Sequence, residues 1–412
     1  MYTSPAMTSR TGFFRATATR TGNIPRGRSI IAVTYGRKFV RGSREPNSRF
    51  WENNMAWQIQ RGRDMQKLKP HYKYRTVFVF LLVCFVGSSW GVELGIKADN
   101  FTIDGKPAFL FGISYYGALG APQDYILNDL EDMQRLGFNW IRVWATWSAF
   151  ENDVSALNTN GGARQPYFDR LRWLIAECDR RGMLVDVTLS RGEGVINIGP
   201  LQTIEAHRRA ASLLASKLKN FRNWYLDLAN ENNIRGRGKK AKTLSFEALG
   251  NLYRAVKDVD PERLVTVSYV GDATEAELRS YLQNVGVDFV SPHRIRSRGC
   301  AEQTAEATRQ CLALMRKIGS IVPVHYQEPF RRDFSPKRFQ PNAEDFVTDL
   351  HGAIEGGAAG WCFHNGDNRA TDEGQPRRSF DMRKLRLFDQ LDQEEREAVA
   401  AISRIISKQS LQ

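Results

Sequence analysis

The chain has 412 residues, of which 42% are hydrophobic, so it can bury the core of a barrel that needs about 250 residues. Its formal net charge of +14 would favour a nucleic-acid or membrane-surface partner if the charge lay on the folded body. However, 16 of the 59 basic residues and only 3 of the 45 acidic residues fall in positions 1–75. The remaining 43 basic and 42 acidic residues nearly balance, so we predict no nucleic-acid partner.

An apolar run near the N-terminus has the layout of a signal peptide. Val77–Gly87 is apolar or small, and basic residues precede it. The run is about half of the roughly 20 residues that span a membrane, so we predict cleavage after Gly91 and a secreted or periplasmic protein rather than an anchored one. Because signal peptides begin close to their basic region, we predict that 65–91 is the signal and that Met65 is the native start. Positions 1–64 are then a basic leader outside the native protein, and an organelle transit peptide is the alternative for it.

Export implies an oxidising compartment, and four cysteines remain after the predicted cleavage. Cys300 and Cys311 flank the start of a predicted helix, and a disulfide between them is left open. Cys178 and Cys362 are expected to be small apolar residues of the body. No Cys-x-x-Cys pair indicates zinc.

The mature chain, 92–412, alternates short β-branched or aromatic runs with longer amphipathic stretches. It begins with a hairpin around Asp104-Gly105, which we expect to cover the floor of a barrel. The predicted strands are Ala108–Ser114, Trp140–Trp144, Leu184–Leu189, Trp224–Ala229, Leu264–Ser268, Asp288–Ser291, Ile321–Gln327 and Ala359–Phe363. The predicted helices are Pro122–Leu136, Phe168–Arg181, Thr203–Lys219, Ser245–Asp258, Glu275–Asn284, Ala301–Lys317, Ala343–Ile354 and Gln393–Ile406.

Eight βα units close most simply into an α/β fold of the (β/α)8 TIM-barrel type, although a doubly wound open sheet alternates in the same way. Two of the predicted strands lead into glutamate: the fourth into Asn230-Glu231 and the seventh into Glu328. Working residues of a parallel barrel stand at the C-terminal ends of strands, so these two carboxylates are expected to face one pocket. Two facing carboxyl groups are the minimum for cleaving a glycosidic bond, and a separation of about 5–5.5 Å gives retention.

Five motifs occur in order: Phe101-Thr-Ile-Asp-Gly-Lys-Pro, Leu136-Gly-Phe-Asn-Trp-Ile-Arg142-Val-Trp, Ala229-Asn-Glu231, Tyr326-Gln-Glu328 and Gly360-Trp361. In these motifs the chain resembles the cellulase-like glycosidases of clan A, nearest to glycoside hydrolase family 5. The resemblance implies that Glu231 is the catalytic acid/base and Glu328 the catalytic nucleophile. It further implies that Asn230 holds the sugar 2-hydroxyl, Arg142 steadies the nucleophile and Trp361 stacks under the sugar ring, although a buried Trp361 is the alternative.

Two departures from the family pattern leave the substrate open. Family members usually carry a histidine after strand three, where this chain reads Asp186-Val-Thr-Leu-Ser-Arg191. They carry His-x-Tyr on strand six, where this chain reads His293-Arg-Ile295. His293 and Tyr326 remain candidate substrate-binding residues. We predict a carbohydrate substrate, no cofactor and no metal.

Basic residues gather beyond several predicted strand ends and predict a positive rim that would bind an anionic glycan. They are Arg191, Arg235, Arg237, Lys239, Lys240, Arg294, Arg296, Arg298, Arg331, Arg332, Arg377 and Arg378. Alternatively they face solvent or pair with the nearby acidic residues Asp333, Asp367, Asp372 and Glu373.

Other enzyme classes find little support in the sequence. The six histidines lack the spacing His-Glu-x-x-His, no Gly-x-Ser-x-Gly elbow occurs, and the glycines of 192–199 are wrongly spaced for a dinucleotide site. A transglycosylase that uses the same two glutamates and a non-catalytic carbohydrate-binding barrel remain as alternatives.

Overall fold

The structure is a computed structural model that describes residues 91–149, 152–189, 201, 203–233, 243–329, 331–332, 339–366 and 378–409. The predicted leader and all of the predicted signal peptide except Gly91 lie outside these residues. The chain divides into two units, 1–85 and 86–412, and every described residue belongs to the second. Within the described ranges, no helix combines the length and the apolar character that a membrane crossing requires.

A small antiparallel sheet precedes the main fold. It consists of β1 (Leu94–Lys97), β2 (Asn100–Ile103) and β3 (Lys106–Ala108). Asp104 and Gly105 join β2 to β3 and both have positive φ, 52° and 76°, as a tight hairpin turn requires. Leu94 and Phe101 pack in one apolar cluster with Leu110, Trp140 and other residues at the N-terminal ends of the barrel strands. This sheet therefore covers the floor of the barrel.

The barrel strands follow, and a short antiparallel ribbon of two two-residue strands lies among them in the chain. The elements are β4 (Leu110–Ser114), β5 (Trp140–Trp144), the ribbon β6 (Ser148–Ala149) and β7 (Asn152–Asp153), β8 (Leu184–Thr188), β9 (Trp224–Asp227), β10 (Val265–Thr266), β11 (Ser268–Val270), β12 (Ser291–His293), β13 (His325–Tyr326) and β14 (Gly360–Phe363). Seven strands pair in the order β10-β9-β8-β5-β4-β14-β13. The parallel pair β11–β12 and a parallel bridge between Val290 and Val324 close the ring. The predicted (β/α)8 barrel is confirmed, and the open sheet is excluded.

Helices cover the outside of this barrel. They are α1 (Gln123–Arg135), α2 (Tyr167–Arg180), α3 (Ile204–Lys217), α4 (Phe246–Lys257), α5 (Glu275–Arg279), which runs into a π-helical turn (Ser280–Val285), α6 (Thr304–Ile318), α7 (Ala343–Gly356), α8 (Leu387–Gln390) and α9 (Gln393–Gln409). Side-chain caps fix several starts; Ser245, for example, accepts a hydrogen bond from the backbone N–H of Ala248. The helix boundaries follow the predicted ones because each apolar stripe ends at such local signals.

The fifth and sixth predicted strands differ from the structure. The fifth is interrupted at Val267: β10 pairs with β9, whereas β11 pairs with β12. The sixth begins at Ser291, at the end of the predicted segment, because its paired residues lie opposite Ser268–Val270 rather than opposite β10. Pairing register between distant segments decided both boundaries, and no local pattern encodes it.

The barrel interior has an aromatic floor and a polar layer above it. Trp140 donates from Nε1 to the Tyr225 hydroxyl at 2.8 Å, and His325 Nε2 lies 3.0 Å from the same hydroxyl. Gly112 lacks a side chain where Trp140 needs the space, since a Cβ there would lie 1.3 Å from the indole. Two residues further along β5 stands Arg142, which begins the polar layer at the mouth.

The four described cysteines are free thiols, so Cys300 and Cys311 form no disulfide in this structure. Cys178 and Cys362 are fully buried, as expected for apolar residues of the body.

Candidate active site

Arg142 lies at the centre of the barrel mouth and is fully buried. Its Nε donates to Asp186 Oδ2 at 3.0 Å, and its Nη2 donates to Asp227 Oδ2 at 3.0 Å. Nη2 also donates to Asn230 Oδ1 at 2.9 Å, and Nη1 donates to Glu328 Oε1. Three buried carboxylates thus share one guanidinium, a pairing without which their burial would be strongly unfavourable.

The charge around Arg142 is partly relieved by protonation. Burial raises the pKa of the Asp186 carboxyl to about 7, against the lowering effect of Arg142 and with a further increase from Asp227. Asp186 is held by Thr188, whose hydroxyl donates to Oδ1 at 2.9 Å, and by Gln327, whose Nε2 donates to Oδ2 at 2.7 Å. Near neutral pH this carboxyl is therefore only partly ionised.

Glu328 follows β13 and is 4% exposed. Arg142 donates to its Oε1, and Arg296 Nη2 donates to its Oε2 at 2.7 Å. The ring nitrogens His364 Nε2 and His293 Nδ1 lie 3.6 and 3.7 Å from Oε2. Burial raises the pKa of Glu328, but the positive charge around it, which includes the guanidiniums of Arg142 and Arg296, outweighs burial and holds that pKa well below its usual range. Glu328 is therefore an ionised carboxylate near neutral pH, as a nucleophile must be.

Glu231 follows β9 in a left-handed backbone conformation, with φ of 47°, that residues other than glycine rarely adopt. Ser268, the first residue of β11, holds this turn: its Oγ accepts from the Glu231 N–H and its carbonyl oxygen from the Asn232 N–H, both at 3.0 Å. Such strain persists where the surroundings fix it, and it is concentrated at functional sites. The turn brings Glu231 Oε1 to 3.1 Å from His293 Nδ1.

The carboxylates of Glu231 and Glu328 meet across the mouth. One oxygen of each and a ring nitrogen of His293 all lie within 4.8 Å of one another. This upper limit on the distance between the two nearest carboxylate oxygens is compatible with the roughly 5–5.5 Å between the carboxyl groups of glycosidases that act with retention, and it is below the roughly 6.5–9.5 Å of those that invert. The structure thus brings the two predicted glutamates together at the mouth of the barrel.

The same three residues have the donor atoms of a metal site. Both oxygens of Glu328, however, already accept hydrogen bonds from guanidinium groups, those of Arg142 and Arg296. Two cations in contact with one ligand would repel a divalent ion. The site therefore does not fit a metal.

His364, which the sequence analysis did not single out, lies directly after β14. Its Nδ1 is 3.1 Å from the Tyr116 hydroxyl and its Nε2 is 3.2 Å from Arg331 Nη1. Because a guanidinium can only donate, Nε2 accepts and the ring proton resides on Nδ1. Burial lowers the pKa of His364 well below its usual range, which agrees with a neutral ring. The signal that could have found it is its position after the eighth strand, the same rule that found Glu231 and Glu328.

The structure corrects the prediction that Tyr326 and Trp361 bind substrate. The Tyr326 hydroxyl lies 2.7 Å from Thr308 Oγ1 of α6, and Trp361 Nε1 donates to Asp349 Oδ2 of α7 at 2.6 Å. Both aromatic side chains are buried between the barrel and its helices. Successive residues of a strand point to opposite faces, and the neighbours of these two take the interior.

Replacing Trp361 by Phe is expected to reduce stability and to leave glycan hydrolysis, the activity predicted from the sequence, unchanged. The change removes a donor from Asp349, whose pKa burial raises to about 6, so at pH 8 an ionised buried carboxylate loses a partner. We expect the free energy of unfolding to fall by about 1–3 kcal/mol. Urea unfolding and initial rates measure the two effects. A fall in the rate of hydrolysis without a fall in stability would instead support the predicted stacking of Trp361 under the sugar ring.

The described basic residues of the predicted rim fall into two groups. Arg294 pairs with Asp272 at 2.9 Å, and Arg332 and Arg378 pair with Asp392 at 2.7 and 3.1 Å. Arg298 lies over the ring of Phe339, 5.2 Å from its centroid. Arg296 and Arg331 instead contact Glu328 and His364 within the site. The other predicted rim residues and their proposed acidic partners lie outside the described residues, and they are Arg191, Arg235, Arg237, Lys239, Lys240, Arg377, Asp333, Asp367, Asp372 and Glu373.

The protein is thus a (β/α)8 barrel with two facing carboxylates at its mouth. No protein-family model matches the sequence, and no curated protein sequence matches it. A solved glycoside hydrolase is similar with a TM-score of 0.58 at 15% identity, over 79% of this chain and 75% of that one. A glycoside hydrolase family 5 structure from Bacteroides vulgatus ATCC 8482 gives 0.54 at 14% identity, over 68% and 63% of the two chains.

The endo-1,4-β-mannanase from Rhizomucor miehei gives a TM-score of 0.55 at 13% identity, over 77% of this chain and 99% of the mannanase. At such identities the similarity establishes the fold alone. The chain has the barrel fold of glycoside hydrolase family 5 structures, as its sequence motifs predicted.

Proposed function

We propose that this protein is a retaining glycoside hydrolase that cleaves O-glycosidic bonds of a poly- or oligosaccharide, with Glu328 as the nucleophile and Glu231 as the general acid and base. The observation that carries the proposal is the approach of the two carboxylates, within 4.8 Å, at the C-terminal ends of the fourth and seventh barrel strands. Solved glycoside hydrolases with the same fold support it. The proposal includes export, with a secreted or periplasmic location.

The proposed reaction has two displacements. A carboxylate oxygen of Glu328 attacks the anomeric carbon while Glu231 gives its proton to the leaving glycosidic oxygen, so the C–O bond breaks and a glycosyl ester forms. Glu231, now a carboxylate, takes a proton from water, and the water oxygen attacks the anomeric carbon and releases Glu328. Each displacement inverts the anomeric carbon, so the product has the configuration of the substrate.

The neighbouring side chains support these roles. Arg142 donates to both Glu328 and Asn230, so one fixed guanidinium sets the nucleophile and the amide that we propose for the sugar 2-hydroxyl. His293 Nδ1 lies 3.1 Å from Glu231 and 3.7 Å from Glu328, so one ring nitrogen is near both carboxylates. We propose that His293 orients Glu231 for proton transfer.

The substrate that the site favours is an acidic glycan. Arg296 and Arg331 contact Glu328 and His364 inside the site. Guanidinium groups bind carboxylates with paired hydrogen bonds, and a positive mouth attracts anionic polymers. Parallel assays on neutral and acidic polysaccharides test this: a preference for neutral glucan or mannan that salt does not change would refute it.

Incubation of the full chain with a glycan panel, followed by NMR of the first products, tests the reaction class. Retention of the anomeric configuration is expected, and inversion would exclude the double displacement. Products longer than the substrate would identify a transglycosylase. Glycan binding without turnover would identify a non-catalytic carbohydrate-binding barrel.

Glu231→Ala is expected to separate acid catalysis from nucleophilic attack. On glycans the rate should fall by about 10²–10⁴-fold, because the leaving oxygen lacks its proton donor. On a dinitrophenyl glycoside, whose leaving group needs no proton, the first displacement should proceed and the glycosyl ester should accumulate as a burst. Glu302→Ala, at an exposed glutamate, is the matched control and should leave both rates unchanged. Equal losses on both substrates would remove Glu231 from the acid role.

A further inference from the structure

The guanidinium of Arg296 lies between the two carboxylates. Its Nη2 is 2.7 Å from Glu328 Oε2 and 3.9 Å from Glu231 Oε1. In the proposed reaction the anomeric carbon must lie between the same two carboxylates, because one attacks it and the other protonates its leaving oxygen. The sugar and this guanidinium cannot fill that space together. Substrate binding therefore requires that Arg296 leave Glu328.

Of the two arginines on Glu328, Arg296 is the one placed to move. Arg142 is fully buried and is fixed by hydrogen bonds to Asp186 and Asp227 at the base of the mouth. Arg296 stands three residues beyond the end of β12, next to the exposed Ile295, and its own side chain is 17% exposed. It reaches into the site from the rim, where its Nε donates to the Pro329 carbonyl oxygen at 3.1 Å. Rotation of its side chain withdraws it and breaks this hydrogen bond together with the one to Glu328.

The two oxygens of Glu328 have different partners, and the difference suits attack. Oε1 is held by the fixed Arg142, which keeps the carboxylate ionised. Oε2 accepts from Arg296 at 2.7 Å, and its lone pair is engaged as long as that hydrogen bond lasts. Departure of Arg296 frees Oε2 and leaves Arg142 in place. The movement that makes room for the sugar also uncovers the nucleophile.

The displaced guanidinium gives up the carboxylate of Glu328, a residue that is 4% exposed. A neutral sugar offers hydroxyl groups and no charge, so it cannot replace the carboxylate that the arginine gives up, and it would bind more weakly than an acidic sugar. A uronic acid offers a carboxylate, the same group that Arg296 has just left, with the same charge and the same planar pair of acceptor oxygens. A carboxylate for carboxylate exchange keeps the charge balance of the site.

We propose that Arg296 selects a uronic acid at the sugar whose glycosidic bond is cleaved. The carboxylate of that sugar takes the guanidinium off Glu328 and so releases Oε2 for attack. Arg296 is thus a specificity-determining residue that couples recognition of the acid group to activation of the nucleophile. The inference rests on the proposed glycosidase function.

The test compares a uronic-acid oligosaccharide with its carboxyl-reduced counterpart, which has the same linkages and no charge. The wild-type full chain should prefer the acid by at least about 10²-fold in kcat/KM, since a site that binds a polar group of its substrate discriminates strongly against the analogue that lacks this group. Arg296→Met should lose at least about 10²-fold on the acid and gain on the reduced form, which inverts the preference. Arg296→Lys should fall between the two. Arg309→Met, which removes an exposed arginine of α6, should behave as wild type.

Binding gives a readout that does not depend on turnover. Calorimetric titration with D-glucuronic and D-galacturonic acid should give a Kd that is at least about 10-fold weaker in Arg296→Met than in wild type, and thermal unfolding should show both proteins folded. A sulfated oligosaccharide forms the third arm, and an Arg296-dependent preference for it over the uronate would overturn the assignment of a carboxylate.

The outcomes separate this inference from the proposed function. Hydrolysis with retention, but with the same acid-to-neutral ratio in wild type and Arg296→Met, overturns the inference and leaves the glycosidase standing. Uronic acid binding that depends on Arg296, without turnover of any glycan, overturns the glycosidase and the coupling to nucleophilic attack that rests on it, and supports only the recognition of the carboxylate by Arg296. A wild-type preference for the carboxyl-reduced oligosaccharide overturns the inference directly.

Discussion

Glu328→Ala is expected to abolish glycan hydrolysis, with kcat falling by at least about 10⁴-fold. The substitution removes the atom that forms the covalent intermediate. Arg142 and Arg296, which donate to the two oxygens of Glu328, cannot replace it because guanidinium groups are not nucleophiles. Rates on the glycan that wild type cleaves fastest measure the effect. Unchanged turnover in this variant would end the proposed mechanism.

Chemical rescue distinguishes a lost nucleophile from a distorted site. In Glu328→Ala, azide can occupy the space of the missing carboxylate and attack the anomeric carbon of a dinitrophenyl glycoside in a single displacement. The expected product is a glycosyl azide of inverted configuration, identified by NMR, together with a rate that rises with azide concentration. Glu302→Ala should show neither loss nor rescue. Rescue that gives a retained product would assign the nucleophilic role to another residue.

Arg142→Met is expected to cause the largest loss of stability. Three buried carboxylates, those of Asp186, Asp227 and Glu328, lose their common guanidinium. Removing one partner of a buried ion pair costs about 3–5 kcal/mol, a large share of the roughly 5–15 kcal/mol that stabilises a folded domain. Arg142→Lys keeps the charge but cannot reach all three carboxylates in one plane, so its loss of stability should be smaller.

The pH dependence of this loss tests its cause. Burial already raises the pKa of Asp186 in the folded protein to about 7, and loss of Arg142 should raise it further. A raised folded-state pKa contributes stability below the unfolded-state pKa of about 3.9, and this contribution disappears as pH rises through the folded-state value. The deficit of Arg142→Met in urea unfolding should therefore be larger at pH 8 than at pH 4–5. An equal deficit at both pH values would assign it to packing and not to charge.

The strand-end glutamates were accessible to sequence reasoning because the signal is local. A strand of period two followed by a helix of period 3.6 marks where each strand ends, and a parallel barrel places its strand ends together. That rule located Glu231 and Glu328 and, applied to every strand, would also have located His364. It could not assign catalytic roles, which remain proposals.

Which face of a strand a residue occupies was harder to predict. Trp361 and Cys362 are neighbours on β14, and the sequence alone does not fix which of them points inward. Two tertiary contacts decide which side chain points outward. Trp361 pairs with Phe111 of β4, and its indole donates to Asp349 of α7. A one-residue shift of register would have exchanged the two faces.

Arg294, Arg296 and Arg298 illustrate what only the folded chain decides. In sequence they are three similar arginines after the sixth strand, and all three were assigned to one positive rim. In the structure the side chain of Arg294 pairs with Asp272, that of Arg298 lies over an aromatic ring, and that of Arg296 donates to the Glu328 carboxylate.

The sequence by itself determined the barrel and the two glutamates at its mouth, because periodicity and strand ends can be recognised from residues that are close together in the sequence. The tertiary structure alone decided their separation, the sharing of Arg142 among three carboxylates and the insertion of Arg296 between Glu231 and Glu328. Those contacts join residues far apart in the chain. Their distances follow from barrel closure and strand register, which no local pattern records.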